Sequence, residues 1–517
     1  MIWSSAGREN AAGLLVLLRI RGIRIWSDDG RLRYQAPKGL LTQNDVEELR
    51  AAKVDLIELL QQASSDDVVG QQITTRLPSD PVPLTFSQQL WWNCLQLGRR
   101  PSMRSVAGAL HLTGPLSVKC LRECFSELVR RHESLRTRIV AADGVPWQVV
   151  DEPTEYRLET SDIGRSSHEE QAVQIRELVE RMVHEPFSVA TGPLFAASLI
   201  KLGDEEHVLV VAMDHMISDA ASLGIVWHEI LAMYAQSIRG LPCSLPQKPI
   251  QFADYALWQQ RANQFWEKQH GAYWKKRLAG AARARPLQSD AMPRTGRVAW
   301  RRQPVRFTEN LSEGLRTLCR EKKTSIAMIT FAAYTAFLLR RCAVTDLAIV
   351  FITLGRPHPK LESTIGYFGT SLFLRVEIPA GENFLDFIDR VTDEYSRAYQ
   401  HSDCGRVAAE MPTPEFAWNP RFNWIPDELT VGVGGDSDGL DLSARLKIQP
   451  YELEVLPRDD IEWDGELEMV ACEVKNGVSG FLAYRADRFA APSIERFVRS
   501  FESFTEQLVR RPRSSLP

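Results

Sequence analysis

The chain has 517 residues, 44% of them hydrophobic and 25% charged, so it exceeds one ordinary core and roughly two to four domains are expected. A formal net charge of -4 argues against a nucleic-acid binder, which carries a basic excess. No apolar run approaches the length needed to cross a bilayer. The cysteines (Cys94, Cys120, Cys124, Cys243, Cys319, Cys342, Cys404 and Cys472) are scattered without a Cys-x-x-Cys pair. That suits a reducing cytoplasm and provides neither a disulfide framework nor a metal site. Arg8, Glu9 and Asn10 precede a short apolar segment broken by Arg19 and Arg21, unlike a secretory leader.

Residues 1–62 read as a small α+β module. Leu14, Leu15, Leu17 and Leu18 predict a short helix ended by Gly22. Ile23-Arg24-Ile25-Trp26 and Arg31-Leu32-Arg33-Tyr34-Gln35 alternate as two strands of a hairpin, joined through Ser27-Asp28-Asp29-Gly30. In the second strand, Leu32 and Tyr34 face one way and Arg31, Arg33 and Gln35 the other. Thr42 and Asp45 suggest a helix start, and Val46, Leu49, Leu56, Ile57 and Leu60 an amphipathic helix. An unpaired hairpin edge accepts another strand. Arg24, Arg31, Arg33 and Lys38 there favour an acidic peptide, although such charges also serve simply to protect an edge. Residues 63–82 are polar and Pro-containing and read as a linker.

Further on, His207-Val208-Leu209-Val210-Val211-Ala212 predicts a buried strand and Ala221 to Leu231 a helix. Between them lies Met213-Asp214-His215-Met216-Ile217-Ser218-Asp219-Ala220. An imidazole fixed in such a turn acts as a general base near neutral pH. The same residues also admit a purely structural reading, in which Asp219 or Ser218 caps the helix. A boundary is expected at residues 262–285, dividing 83–270 from 271–517. Ile326 to Leu339 predicts a buried helix, Leu347 to Ile352 a strand, and Ile494 to Val509 a closing helix.

Two resemblances sharpen this reading. Arg21-Gly22-Ile23-Arg24-Ile25-Trp26, Ala36-Pro37-Lys38-Gly39 and Lys53 resemble the N-terminal beta-hairpin docking domains of nonribosomal peptide synthetase and hybrid assembly lines. The resemblance implies binding of an acidic C-terminal tail on the upstream protein by strand addition. The remainder resembles the condensation domains of nonribosomal peptide synthetases. Five landmarks appear in order: Ser87-Gln88-Gln89-Leu90-Trp91-Trp92, Arg131-His132-Glu133-Ser134-Leu135-Arg136-Thr137, the His215 turn, Phe252-Ala253-Asp254-Tyr255, and Thr364-Ile365-Gly366-Tyr367-Phe368. Glu185-Pro186-Phe187 with Gly192-Pro193-Leu194 is a further match.

This second resemblance implies an α/β fold of two chloramphenicol acetyltransferase-like lobes, a V-shaped pseudo-dimer with the active site in its cleft. It also implies acyl transfer from a phosphopantetheinyl carrier-protein thioester to a small-molecule or carrier-bound hydroxyl or amine. The arm comes from the carrier, and no cofactor bound by this chain is expected. His215 is the implied base, and backbone donors at the helix start would support the oxyanion. Asp219 is implied to hold the turn through an arginine, for which Arg136 and Arg356 are both candidates. Asp214 stands where the family has its first His, Ala220 where it has Gly, and Thr370 where it usually has Asn. Ser218 completes the motif segment.

Asp214-x4-Asp219-x2-Ser222 also fits the heterocyclisation pattern, against which His215 and the condensation-type opening motif count. Epimerisation and a carrier-binding module without turnover are further alternatives. With neither adenylation nor carrier domain evident, a free-standing, monomeric, cytoplasmic enzyme acting at chain release is expected.

Overall fold

The computed structural model describes residues 14, 18, 23–28, 31–35, 43–57, 73–96, 105–184, 187–242, 245, 250–281, 290, 300–356, 358–402, 420–425, 446–450, 466–474 and 477–516. The hairpin forms as expected. Strand Arg24–Asp28 pairs antiparallel with Arg31–Gln35, placing Asp28 opposite Arg31 and Trp26 opposite Arg33. Ile23 and Ile25 pack with Leu18, Leu49 and Leu56 into a small core of their own. Leu32 leans on that core, but Tyr34 is 51% exposed. The two share a strand face, and the core is too short to reach Tyr34. Arg31 and Arg33 are exposed, and among the described residues no third strand joins this sheet. Lys38 and Thr42 lie outside the described residues, as do Glu185 and Pro186.

Of the segment read as a linker, residues 73–82 pack on the body, and residues 63–72 lie outside the described residues. Ile73 is buried with Ile250, Phe252, Tyr255, Leu361 and Phe368. The Arg76 amide donates to Asp254 Oδ1 at 2.8 Å, and its guanidinium to Glu133 at 3.0 Å. A buried isoleucine and a satisfied carboxylate fix residues 73–82 against the body, despite their polar composition.

The first lobe is built on a five-stranded sheet ordered Lys447–Pro450, Ser105–Thr113, Glu206–Asp214, Phe195–Gly203, Glu159–Asp162. Its central strand is buried from His207 to Asp214, because both faces are covered. Leu209, Val211 and Met213 face the helices Val118–Arg131 and Ala220–Ser237. Val208 and Val210 face the helix His168–His184. The edge strand Lys447–Pro450 comes from the part of the chain expected to build the second lobe, and crosses over to pair with Ser105–Thr113.

The second lobe has a six-stranded sheet ordered Trp300–Arg306, Gly477–Arg485, Leu467–Val474, Arg421–Trp424, Asp346–Thr353, Thr370–Glu377. Helix Ile326–Cys342 lies in its core, starting where Ser325 accepts from the Met328 amide and stopping at left-handed Ala343. It is apolar nearly all round, as a helix in the middle of a core must be. Helix Phe252–Leu278 joins the lobes. Phe252 and Tyr255 pack beside the site-bearing loop, while Trp274 and Leu278 enter the second core. The boundary expected at residue 270 therefore falls inside one continuous helix. Among the described residues, no helix is long and apolar enough to cross a membrane.

Candidate active site

Strand Glu206–Asp214 delivers the chain to the seam between the lobes, and helix Ala220–Ser237 carries it away. The intervening turn is held from within. Asp214 Oδ1 accepts from the Met216 amide at 2.8 Å, and Ser218 Oγ donates to the Asp214 carbonyl at 2.9 Å. Gln88, fully buried, donates its amide to the Met216 carbonyl at 2.7 Å. Asp214 thus braces the turn through its carboxylate and carbonyl.

Asp219 caps the helix and ties the lobes together. Its Oδ1 accepts from the Ser222 amide at 2.8 Å and from Arg356 Nη2 at 2.9 Å; its Oδ2 accepts from Arg356 Nη1 at 2.8 Å and from the Phe368 amide at 3.2 Å. The ion pair is bidentate and nearly solvent-free, with 8% of the Arg356 side chain and 6% of the Asp219 side chain exposed. Arg356 also stacks over the Phe368 ring at 4.5 Å. Of the two candidate arginines, the geometry selects Arg356. Arg136 donates instead to the Asp151 carbonyl and lies 3.9 Å from Glu133, since its 3-10 turn faces strand Val145–Val150.

His215 is half-buried at this seam. Its Nδ1 lies 2.9 Å from the Ser218 carbonyl. A carbonyl only accepts, so Nδ1 carries the proton and the Nε2 lone pair is left available. Trp91 and Tyr367 flank the ring, with centroids 5.3 and 5.2 Å away. Burial pulls the imidazole below its ordinary 6.5, outweighing the opposing pull of the Ser218 carbonyl, Asp219 and Asp214. Ala220 opens the helix and is partly exposed. The Ser222 amide, one of the helix-start donors expected to serve an oxyanion, is occupied by Asp219.

The other motifs are the scaffold of this turn. Ser87 Oγ donates to the Gly369 carbonyl at 2.8 Å, and Ser134 Oγ to the Ile365 carbonyl at 2.6 Å. Ser222 Oγ accepts from the Gly366 amide at 3.1 Å. A Cβ on Gly366 would meet the Phe252 ring at 2.1 Å, so the loop closes only on glycine. In the sequence, Gln88, Trp91 and Tyr367 are visible as motif members but carry no sign of their task beside the imidazole. Arg31 and Arg33 lie exposed on the hairpin and make none of the described contacts of this site.

Two α/β lobes bridged by a long helix and a crossover strand, with an imidazole in a capped turn at their seam, define a chloramphenicol acetyltransferase-like protein. The profile of the condensation domain matches residues 79–516, and the chain belongs to that family. Members of this family are acyltransferase-type enzymes that work with carrier proteins. A second profile, the TubC N-terminal docking domain, matches residues 12–62. The chain is 28% identical over 443 residues to a linear gramicidin synthase of Brevibacillus parabrevis, covering 84% of this chain but only 8% of that protein. It is also 29% identical over 445 residues to malpibaldin synthetase of Mortierella alpina, covering 86% of this chain and again 8% of that protein. Among solved structures, SgcC5 from Streptomyces globisporus, crystallised with a naphthyl-1,2-ethanediol and sucrose, aligns at TM-score 0.69 and 25% identity, covering 84% of this chain and 100% of that one. The X-domain from teicoplanin biosynthesis aligns at TM-score 0.70 and 22% identity over 86% and 99% of the two chains, a likeness of fold.

Proposed function

We propose that this protein transfers an acyl chain from a carrier-protein thioester to a hydroxyl or amine acceptor, with His215 as general base. The observation that carries this reading is the fixed tautomer: Nδ1 bonded to Ser218 at 2.9 Å, Nε2 unencumbered by that bond, at the seam of the lobes. In the reaction, the acceptor's O–H or N–H proton passes to Nε2 as its heteroatom attacks the thioester carbonyl. The C–S bond then breaks, and the imidazolium returns the proton to the phosphopantetheine thiolate. Holding both partners in the cleft supplies the proximity. Asp214 and Asp219 are both engaged in bracing the turn, which weighs against the heterocyclisation reading.

In its finer form the proposal is ester formation at chain release, similar to the chain-releasing condensation enzyme of the enacyloxin hybrid polyketide synthase. Asp214 and Ala220 depart from the peptide-forming motif, and SgcC5 was solved with a diol. Both support a hydroxyl acceptor. Incubating an acyl-loaded carrier with matched alcohols and amines tests this: ester product is expected, and exclusive amide product contradicts it.

The sign of the pH dependence follows from the neutral form being the base. Because burial depresses the imidazole below 6.5, His215 is more than half unprotonated at that pH. The midpoint of the kcat profile, with activity lost as the pH falls, is expected below 6.5. A midpoint above 6.5 contradicts this.

The hairpin module is proposed to recruit the carrier through an acidic tail laid along its open edge. Reversing Arg31 and Arg33 together to glutamate is expected to weaken binding of an acidic tail peptide about tenfold or more, with the loss shrinking at high salt. Acyl transfer from a small untethered thioester is expected to be unaffected. Equal binding by parent and variant contradicts this assignment.

A further inference from the structure

We propose that Tyr367 is a positioning residue, delivered from the second lobe, that completes the cage around the His215 ring. The base is then in register only when the two lobes are docked. This deepens the reading of His215 as the base and rests on it.

The cage has walls from both lobes. Trp91 stands on helix Phe86–Gln96 of the first lobe, 5.3 Å from the His215 ring. Tyr367 lies 5.2 Å from the same ring at 53°. The two walls also touch each other, at 6.0 Å and 67°. Three rings in mutual tilted or edge-on contact resist rotation of any one of them.

The loop that carries Tyr367 is held almost residue by residue by the first lobe. The Ile365 carbonyl accepts from Ser134, the Gly366 amide donates to Ser222, the Phe368 amide donates to Asp219, and the Gly369 carbonyl accepts from Ser87. Within this run, the Tyr367 side chain is turned onto the ring of the base. A displacement of the lobes therefore shifts Tyr367 directly, and the imidazole loses one wall.

The charged and titratable groups around this cage are Asp214 and Asp219 beside His215, with Asp219, Arg421 and Cys94 beside Tyr367. Burial, and secondarily Asp219, pushes the Tyr367 phenol up to about 12. It stays neutral throughout the working range and acts through its ring.

The test compares Tyr367→Leu, Tyr367→Met and Tyr367→Phe with the parent. The readouts are kcat and KM for an acyl-loaded carrier and the His215 pKa from NMR of histidine-labelled protein, with folding followed by thermal melting. Leu and Met are expected to lower kcat about 10- to 100-fold, the scale of a misplaced catalytic group, with KM changed less than about threefold. In both, the His215 pKa is expected to rise toward 6.5 as water enters, while Phe restores kcat to within about threefold. Met retains bulk, so it reports if Leu fails to fold. Unchanged kcat and unchanged His215 pKa in a folded Leu or Met variant overturn the proposal. A shifted pKa with full turnover retained by His215→Ala would instead overturn the base assignment and leave the cage standing.

Discussion

Replacing Arg356 with alanine is expected to cost about 3–5 kcal/mol of folding stability, the scale for removing one partner of a buried ion pair. The loss strands the Asp219 carboxylate, 6% exposed in the intact pair, with Ser222 and the Phe368 amide as its remaining described partners. It also removes the cation above the Phe368 ring. For a protein of this size the melting temperature should fall by roughly 3–5 °C. Asp219→Ala should cost as much or more, since it strands the guanidinium and deletes the helix cap, itself worth about 1 kcal/mol. The double variant is expected to cost clearly less than the sum of the two singles, because the partners act as one unit. Thermal and guanidinium unfolding of the three variants check this. Additive losses under about 1 kcal/mol each would show that the pair does not hold the seam. The same experiment guards against over-reading inactive Asp219 variants, whose lost activity follows from a loosened turn.

His215→Ala is expected to have the opposite character: a large kinetic effect with a small structural one. Removing a general base lowers kcat by about 10²- to 10⁴-fold. The ring is half-buried, and its Nδ1 bonds a carbonyl that the turn can re-satisfy with water, so the stability loss should stay near about 1 kcal/mol. Binding of the acidic tail, which occurs on the hairpin, should not change. Steady-state kinetics beside a thermal melt separate the two effects. A variant that keeps kcat within tenfold of the parent contradicts the assignment.

Much of this architecture was legible locally. The alternation of Ile23 and Ile25, the apolar run from His207 to Ala212 and the all-apolar face of Ile326 to Leu339 each pointed to the element the structure contains, because periodicity and burial act over a few residues. The turn at His215 was legible for the same reason: Asp219 lies where a helix cap must lie. What was not legible depends on distant partners. The strand Lys447–Pro450 is four residues long, and nothing in those residues specifies pairing with Ser105–Thr113 across the lobes. Ile73 sits in a polar stretch, and only the pocket formed by Ile250, Phe252 and Phe368 makes it a core residue. Arg136 and Arg356 were equivalent as sequence; a guanidinium finds its carboxylate only in three dimensions. Trp91 and Tyr367 were visible as motif members, but their meeting at His215 belongs to the packing of one lobe on the other.

The most direct test of the central claim is a single-turnover measurement by intact-protein mass spectrometry. An acyl-loaded carrier bearing its C-terminal tail is mixed with parent protein or His215→Ala in the presence of an alcohol acceptor. If His215 is the base, the parent strips the acyl mass from the carrier and yields a product of acyl plus acceptor, while His215→Ala leaves the carrier loaded over the same time. Equal unloading by both proteins, or by neither while the tail still binds residues 12–62, would contradict it.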